Sequence, residues 1–522
     1  MNSIKIEVLI IGSGFGAAAP ALRLCKAGFE VLMIEKGPNI IPEKDFKMTQ
    51  DPKYLLKYLK GLDAENISFT YAEALGGGSG FYEMVSLRAP SKVFEQRDKE
   101  NRLYWPTIIN RKSLDPYYDL AEKMLNVEQI PVEEIPKSGL VFSQLMKNLG
   151  YSCERARYAV KGCAGSGYCI TGCVFGAKQS LHLNYLPQAK QLGLKILTDI
   201  EALEIHPILA NSFSTKYLSN MAGIPYRYSI ICKNKLTGEL FRIETKILIL
   251  GGGTIGTAKL LLNSKQSLHF LSDRVGKAIA FNGSIKAAGI LPVGFIEGDM
   301  FSGRSHPGMI SYQFFDKLGI TISSAKPLPL YVLGSARLKL QSETRDPSYW
   351  GQANVELMKK YRTKLIILYS LGLTPPCAEI KLQANGEIKP NLTINKDLRL
   401  YYTNTLKLLH SIFKRNGCEI VDIRMIDKEG MLNGEISYST AHMVGSCSMA
   451  DSIDNGVVNP YGEVFNYPGI FVTDGAGIPT SLAVNTSLTI LANAERIAEY
   501  LVQYFKKSKN SSQKIFSDKI SD

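Results

Sequence analysis

The sequence predicts an α/β fold, in which a discontinuous Rossmann-like dinucleotide-binding domain carries a β-rich substrate-binding domain. Two strand–glycine–helix units, in residues 4–34 and 247–263, predict parallel strands joined by crossing helices. A last strand and helix, in residues 469–504, follow a stretch between 318 and 394 that is rich in strand patterns. A nucleotide-binding domain assembled from separated segments would give this order.

The composition is that of a folded globular protein. The 522 residues are 45% hydrophobic and 21% charged, which is not the composition of a disordered protein. The net charge of +13 indicates a solvated basic surface, so we expect no nucleic acid and leave open a transient contact with a membrane surface. The chain enters a strand without a charged leader, and its apolar runs are too short to span a bilayer. We therefore expect a cytoplasmic protein with reduced cysteines, and export by a route without a signal peptide is the alternative.

Apolar periodicity predicts the elements in chain order. Strands are predicted at 4–11 and 30–34, with a helix at 17–27 between them. Helices are then predicted at 51–63, 114–125 and 178–192, followed by a strand at 194–197 and a β-ribbon over 203–246. Asn385-Gly386 predicts a hairpin turn in the strand-rich part, and 404–415 and 486–504 predict helices. The expected division is 1–300 for the nucleotide-binding domain with excursions, 301–429 for the substrate domain, 430–505 for the returning part, and 506–522 for a disordered tail.

The first motif is GSGFGA, residues 12–17, between a predicted strand and a predicted helix. Gly12 permits a tight turn, Gly14 lets the backbone approach a pyrophosphate, and Ala17 allows the helix to pack closely on the strand. The positive end of the helix then faces the phosphates. Glu35 ends the next strand, where its carboxylate suits ribose hydroxyls. The motif predicts a dinucleotide but does not separate NAD from FAD, and the acid disfavours NADP.

A second glycine-rich loop, LGGGSG, occupies residues 75–80. Gly77, Gly78 and Ser79 would allow the backbone to approach a flat or charged ligand closely. A flexible loop with no ligand is the alternative interpretation.

The C-terminal segments TAHMVGSCSMA and GIFVTDGAGIPTS, taken with the two glycine motifs, resemble the glucose–methanol–choline (GMC) oxidoreductase family of flavoproteins. The segment GCAGSGYCITGCVFGAKQSLHLNYLPQA, residues 162–189, is similar to the matching segment of the family's cholesterol-oxidase-like branch. The resemblance covers most of the chain and is weakest between residues 300 and 427.

This resemblance implies FAD as the cofactor and the oxidation of an alcohol, with hydride passing to the flavin. It implies that His442 accepts the hydroxyl proton, a role that suits a side chain titrating near neutral pH. Asn485 matches the family residue that holds the substrate hydroxyl and the flavin edge, and it also suits the N-cap of the last helix. Asp474 and Gly475 match positions that contact FAD.

The substrate is less well defined, because the sequence departs from the family pattern at Met443, Ser446 and Thr486. The 3-hydroxyl of a sterol is the first expectation, with oxygen reoxidising the flavin. The alternatives are a long-chain alcohol oxidase, a dehydrogenase that passes electrons to a partner, and a flavoprotein without turnover.

Three of the nine cysteines, Cys163, Cys169 and Cys173, fall within the eleven residues CAGSGYCITGC. Three thiolates are enough for a [3Fe–4S] cluster, and this spacing resembles the cluster segment of some GMC dehydrogenases. Packed thiols in a loop are the alternative interpretation. Zinc is disfavoured, because no histidine lies at ligand spacing.

Overall fold

The computed structural model describes residues 3–49, 51–64, 66–208, 226–299, 304, 307–325, 351–421 and 438–517. The strands are β1 Ser3–Ile11, β2 Val31–Ile34, β3 Leu59–Ala64, β4 Ile67–Ala72, β5 Val127–Gln129, β6 Glu154–Arg155, β7 Arg157–Ala159, β8 Lys195–Leu197, β9 Ile200–Pro207, β10 Tyr228–Asn234, β11 Leu240–Leu250, β12 Lys277–Ala280, β13 Ile285–Ile290, β14 Met309–Ser311, β15 Ile320–Ala325, β16 Leu365–Gly372, β17 Ala378–Leu382, β18 Ile388–Leu392, β19 Glu419–Ile420, β20 Tyr438–Thr440, β21 Val444–Ser446 and β22 Ile470–Val472. The helices are α1 Phe15–Lys26, α2 Pro42–Asp45, α3 Pro52–Leu55, α4 Arg111–Met124, α5 Lys137–Lys147, α6 Tyr185–Gln191, α7 Gly253–Asn263, α8 Phe315–Leu318, α9 Gly351–Lys364, α10 Lys396–Arg415 and α11 Ser487–Ser517.

The central sheet has the strand order β8-β2-β1-β11-β10-β9, with β22 pairing beside β11. The strands β8, β2, β1, β11 and β22 are parallel, and α1 packs against α6 and α11. Val8, Leu9 and Ile10 are fully buried, as expected of a parallel strand covered on both faces. The carboxyl ends of these strands meet at one edge, which is where open α/β sheets bind ligands. The predicted α/β fold is confirmed.

A second sheet has the strand order β19-β13-β16-β15-β14-β6, and its pairings are antiparallel. Helix α10 packs on β13, and α5 packs against β14, β15 and β16. A smaller sheet, β18-β17-β12-β21, includes the hairpin predicted at Asn385-Gly386. Because strands of the second sheet come from both sides of residue 301, the β-rich region is interleaved with the first. The proposed domain limits remain a prediction.

Three elements differ from the sequence expectation. Residues 51–63 form the short α3 and then β3, because β3 pairs along its length with β4. The helix predicted over 178–192 begins only at Tyr185, where the Asn184 side chain accepts the first amide hydrogen at 2.8 Å. The last helix continues to Ser517 in place of the predicted tail from residue 506, because no glycine or proline interrupts it. None of the described helices combines the length and apolar character needed to cross a membrane.

A buried ion pair fixes the helices beneath the sheet. Arg23 of α1 makes two hydrogen bonds, of 2.7 and 2.8 Å, to the carboxylate of Glu495 on α11. The hydroxyl of Tyr185 on α6 donates to the same carboxylate at 2.7 Å. Glu495 is buried, so these donors supply the partners that a buried charge requires. The network ties α1, α6 and α11 to one another.

Candidate active site

A cavity of about 1590 Å³ opens where the carboxyl ends of the parallel strands face the second sheet. Most of the predicted site residues line it: Gly12, Gly14, Glu35, Gly77, Gly78, His442, Asp474, Gly475 and Asn485. Two predicted residues, Ala17 and Ser79, are fully buried behind its wall. The structure therefore brings together motifs that are separated by more than 400 residues of chain.

The β1–α1 turn requires glycine. Gly12 has φ +95°, and a Cβ added there would lie 2.3 Å from the carbonyl oxygen of Gly251, at the end of β11. Ala17 packs from α1 against the same Gly251, which confirms the close packing that the motif predicts. Gly14 is the N-cap of α1 and supplies no capping side chain, and the first turn holds no acid. The amide groups at this helix end thus suit an anion such as a pyrophosphate.

Glu35 lies beside this turn and is 7% exposed. Its carboxylate accepts hydrogen bonds from the Ser13 hydroxyl at 2.6 Å and from the Gly37 amide at 2.8 Å. Burial raises the pKa of Glu35 to about 7, although these donors act against the shift. The Ser13 hydroxyl also accepts the Gly76 amide at 2.9 Å, which joins the turn to the second glycine loop. A carboxylate in this position can accept ribose hydroxyls.

This environment predicts a pH dependence of FAD binding. Ribose hydroxyls donate to the ionised carboxylate, so binding should strengthen as the pH rises through the Glu35 pKa. We expect the affinity of the apoprotein for FAD to rise about tenfold between pH 6 and pH 8. Flavin fluorescence titrations measure this directly. The Glu35→Gln variant should bind more weakly and show no such rise, and an equal rise in the variant would contradict the assignment.

The second glycine loop faces the first. Gly76 and Gly77 have positive φ values, and a Cβ added to Gly77 would lie 2.9 Å from the Gly14 Cα. Ser79 braces the loop instead of lining the cavity: its hydroxyl donates to the Gly76 carbonyl at 2.7 Å and accepts the Leu181 amide at 3.2 Å. The loop is therefore a rigid wall with bare backbone toward the cavity, as a flat ligand requires.

Asp474 closes the cavity from the end of β22. Its carboxylate accepts hydrogen bonds from the Gly253 amide at 2.7 Å, the Thr257 hydroxyl at 2.6 Å and the Ala476 amide at 2.8 Å. Burial raises the pKa of Asp474 to about 6. The residue thus joins the N-terminus of α7 to the last strand and leaves the adjacent Gly475 at the cavity surface.

His442 and Asn485 lie together at the end of the cavity nearest the second sheet. The His442 Nε2 atom is 3.2 Å from Asn485 Nδ2, and the His442 amide donates to the Thr440 hydroxyl at 3.0 Å. Burial, and secondly the charge of Lys286, lower the pKa of His442 to about 4. The ring is therefore neutral at neutral pH, with one nitrogen able to accept a proton. Helix α11 begins at Ser487, so Thr486 occupies the N-cap position that was predicted for Asn485, and the Asn485 side chain faces His442 instead.

Asn282 was not predicted from the sequence, yet it holds this pair in place. Its Oδ1 accepts the amides of Leu482 and Ala483 at 2.9 and 3.0 Å, and its Nδ2 donates to the Val484 carbonyl at 2.6 Å. The same Nδ2 lies 3.4 Å from His442 Nδ1. A buried amide with these four contacts connects His442 to the segment that carries Asn485. The local sequence FNGS indicates only a turn, so no local signal could have identified the residue.

Removing this amide should disturb both stability and the site. Asn282→Ala would leave two buried amides and one buried carbonyl without partners, at a cost of about 1–3 kcal/mol. We also expect flavin reduction by substrate to slow about tenfold or more, because Asn485 and His442 lose their common support. Thermal unfolding and rapid-reaction absorbance measure the two effects. Unchanged values of both would show that the amide supports neither.

The iron–sulfur hypothesis is not supported. Across the described ranges, which include all three loop cysteines, no three His, Cys, Asp or Glu side chains are grouped to hold a metal ion. Cys163, Cys169 and Cys173 are free thiols around a cavity of about 20 Å³. The buried Lys178 ammonium donates to the carbonyls of Cys169 and Gly80, both at 2.5 Å. The segment is thus a packed loop that supports the second glycine loop.

Comparisons with known proteins agree with this geometry. Family models described as GMC oxidoreductase match residues 7–277 and 387–494. The chain is 24% identical to a cholesterol oxidase of Acinetobacter baumannii, over 96% of the chain and 95% of that protein. It is 24% identical to a long-chain-alcohol oxidase of Arabidopsis thaliana, over 96% of the chain and 67% of that protein. A solved structure of a mutant formate oxidase of Aspergillus oryzae matches 96% of the chain and 98% of its own length, with a TM-score of 0.66 and 13% identity, which shows the fold alone.

Proposed function

This chain belongs to the GMC oxidoreductase family, and from that premise we propose that it oxidises a hydrophobic alcohol, with FAD as hydride acceptor and His442 as acceptor of the hydroxyl proton. One observation carries the proposal. The paired side chains of His442 and Asn485, 3.2 Å apart, line the same cavity as the dinucleotide-type turn at Gly12. The proposed proton acceptor and the proposed nucleotide site thus lie in one cavity, as hydride transfer to a bound flavin requires.

The residues present suit FAD. The Gly12–Gly14 turn and the N-terminus of α1 would hold the pyrophosphate, and Glu35 would hold a ribose. The bare backbone at Gly77 and Gly78 would contact the flavin part. When bound, FAD supplies the hydride acceptor.

The side chains of the protein would hold the alcohol and accept its hydroxyl proton. His442 Nε2 and the Asn485 amide are close enough together to contact one alcohol oxygen between them. Because the His442 ring is neutral, it can take the hydroxyl proton as the carbon–hydrogen bond breaks. The N-terminal end of α11, at Ser487, also lines the cavity, and its first turn holds no acid. The positive end of this helix favours negative charge that develops nearby.

The 3-hydroxyl of a sterol is the first candidate substrate. Its support is the similarity to a cholesterol oxidase along nearly the whole chain, together with apolar side chains such as Leu87, Ile310 and Leu371 in the cavity wall. A long-chain alcohol is the second candidate, supported by the plant relative. Oxygen is proposed as the electron acceptor. Both substrates would come from a membrane, so a transient contact with its surface forms part of the proposal.

A substrate panel tests the proposal. The FAD-loaded protein would be mixed with cholesterol, a long-chain primary alcohol or glucose in air, and hydrogen peroxide and the carbonyl product would be measured. We expect peroxide and product in equal amounts from one of the hydrophobic alcohols. Carbonyl formation only with an added electron acceptor would favour the dehydrogenase alternative. Bound FAD without turnover of any alcohol would favour a non-catalytic flavoprotein and contradict the proposal.

A further inference from the structure

Three hydrogen-bond donors form a row on the face of the second sheet that borders the cavity. Lys286 on β13 is paired with Tyr369 on β16, and Tyr369 is paired with Ser323 on β15. Side chains that are directly opposite on neighbouring strands share one face of the sheet. All three residues line the cavity that contains His442. We call them the donor row.

The chemistry of the donor row suits an oxyanion. The Lys286 Nζ atom lies 5.7 Å from the centre of the Tyr369 ring. Burial raises the pKa of Tyr369 well above its usual value, although a hydrogen bond with the Ser284 side chain acts against the shift, so this phenol keeps its proton at physiological pH. An ammonium, a phenol and a hydroxyl are together the kind of donors that bind a carboxylate.

The acids around the cavity limit where an anion can bind. Glu35 accepts its hydrogen bonds from Ser13 and Gly37, at the dinucleotide end. Glu73 and Glu201 lie within 3.3 Å of Lys36 at the same end. Glu387 also lines the cavity, on the β17–β18 turn. The negative charge of Glu83 contributes to the raised pKa of Tyr369. The same charge opposes the binding of an anion at the donor row.

We propose that the donor row binds a carboxylate of the alcohol substrate, so that the substrate is a hydrophobic hydroxy acid. This rests on the proposed oxidation of a hydrophobic alcohol and narrows the sterol and long-chain candidates to forms that carry an acid group. The apolar wall receives the hydrocarbon part, the donor row receives the acid, and His442 and Asn485 receive the hydroxyl. Lys286 is the residue that sets the preference, because it brings the positive charge.

Matched acids and esters test the proposal on the FAD-loaded protein. Binding of decanoic acid and of its methyl ester would be followed by the change in the flavin spectrum, which needs no turnover. Anaerobic flavin reduction would be followed with 3-hydroxydecanoic acid and its methyl ester. We expect the wild-type protein to favour the acid over the ester by about tenfold or more in both assays.

Variants assign this preference to the donor row. Lys286→Met should bring the acid-to-ester ratio close to one, whereas Lys286→Arg should retain most of the preference and Glu83→Gln should increase it. The control Lys389→Met changes an exposed lysine on β18 and should leave the ratio as in the wild type. If Lys286→Met fails to fold, the acid-to-ester ratios of Lys286→Arg and Glu83→Gln still test whether the donor row sets the preference.

Two results would overturn the proposal: a wild-type ratio near one, or a ratio that Lys286→Met and Glu83→Gln do not change. Failure of the proposed function is a separate result. If the donor row selects decanoic acid over its ester but no alcohol reduces the flavin, the anion site stands and the oxidation is wrong. If uncharged alcohols reduce the flavin as well as the hydroxy acid does, the oxidation stands and the anion site is wrong.

Discussion

Replacing His442 with alanine should slow flavin reduction by the alcohol substrate at least about 100-fold, the loss expected when a positioned proton acceptor is removed. Burial lowers the pKa of His442 to about 4, so the ring is neutral at the pH of the assay and one ring nitrogen has a lone pair that can accept a proton. It contacts Asn485 and Asn282 and no backbone amide of the nucleotide turn. We therefore expect FAD to remain bound in the variant.

Anaerobic rapid mixing of the FAD-loaded protein with substrate measures this rate. His206→Ala is the matched control, because His206 lies on β9, half-exposed, beside Glu204. The control should reduce its flavin at the wild-type rate. A His442→Ala protein that keeps its flavin and is reduced as fast as the control would exclude His442 as the proton acceptor.

Replacing Gly12 with alanine should abolish FAD binding. The added Cβ would lie 2.3 Å from the Gly251 carbonyl oxygen, so the β1–α1 turn and the end of β11 cannot both keep their positions. Overpacking of this kind costs about 1–3 kcal/mol, and the backbone at φ +95° adds strain. Because the same turn would carry the pyrophosphate, its displacement removes the cofactor site.

Flavin content per protein and thermal unfolding measure the effect. Gly28→Ala separates crowding from strain, since Gly28 has φ +85° but no atom within 4 Å of the added Cβ. The Gly28 variant should lose some stability and keep its flavin. Equal flavin content in the two variants would show that close approach at Gly12 is not needed for binding.

The sequence predicts this fold well where a local motif is compatible with only one backbone conformation. GSGFGA, between an apolar strand and a helix, specifies the turn at Gly12 and the packing of Ala17, and both are found. The strand after Gly469 pairs beside β11, as the segmented domain requires. The resemblance to the GMC family then indicates which residues of distant segments meet, and His442 and Asn485 lie side by side.

The remaining features depend on pairing that no local pattern contains. Asn282 acts through backbone groups some 200 residues away, and its own segment has the appearance of an ordinary turn. The donor row at Lys286 exists only because three strands come into register. The cysteine spacing suggested a metal, but the buried Lys178 ammonium holds that loop by its carbonyls. In each case the tertiary contact, and not the local sequence, decides the outcome.

We propose that hydride passes from an alcohol to FAD in this cavity, beside His442 and Asn485. The most direct test of this claim is anaerobic mixing of the FAD-loaded protein with an alcohol that reduces it, compared with the same alcohol carrying deuterium on the carbinol carbon. We predict that the flavin absorbance is lost in a single step that slows severalfold with deuterium in the wild type. A flavin that no hydrophobic alcohol reduces, or one reduced at the same rate with deuterium and with hydrogen, would contradict the claim.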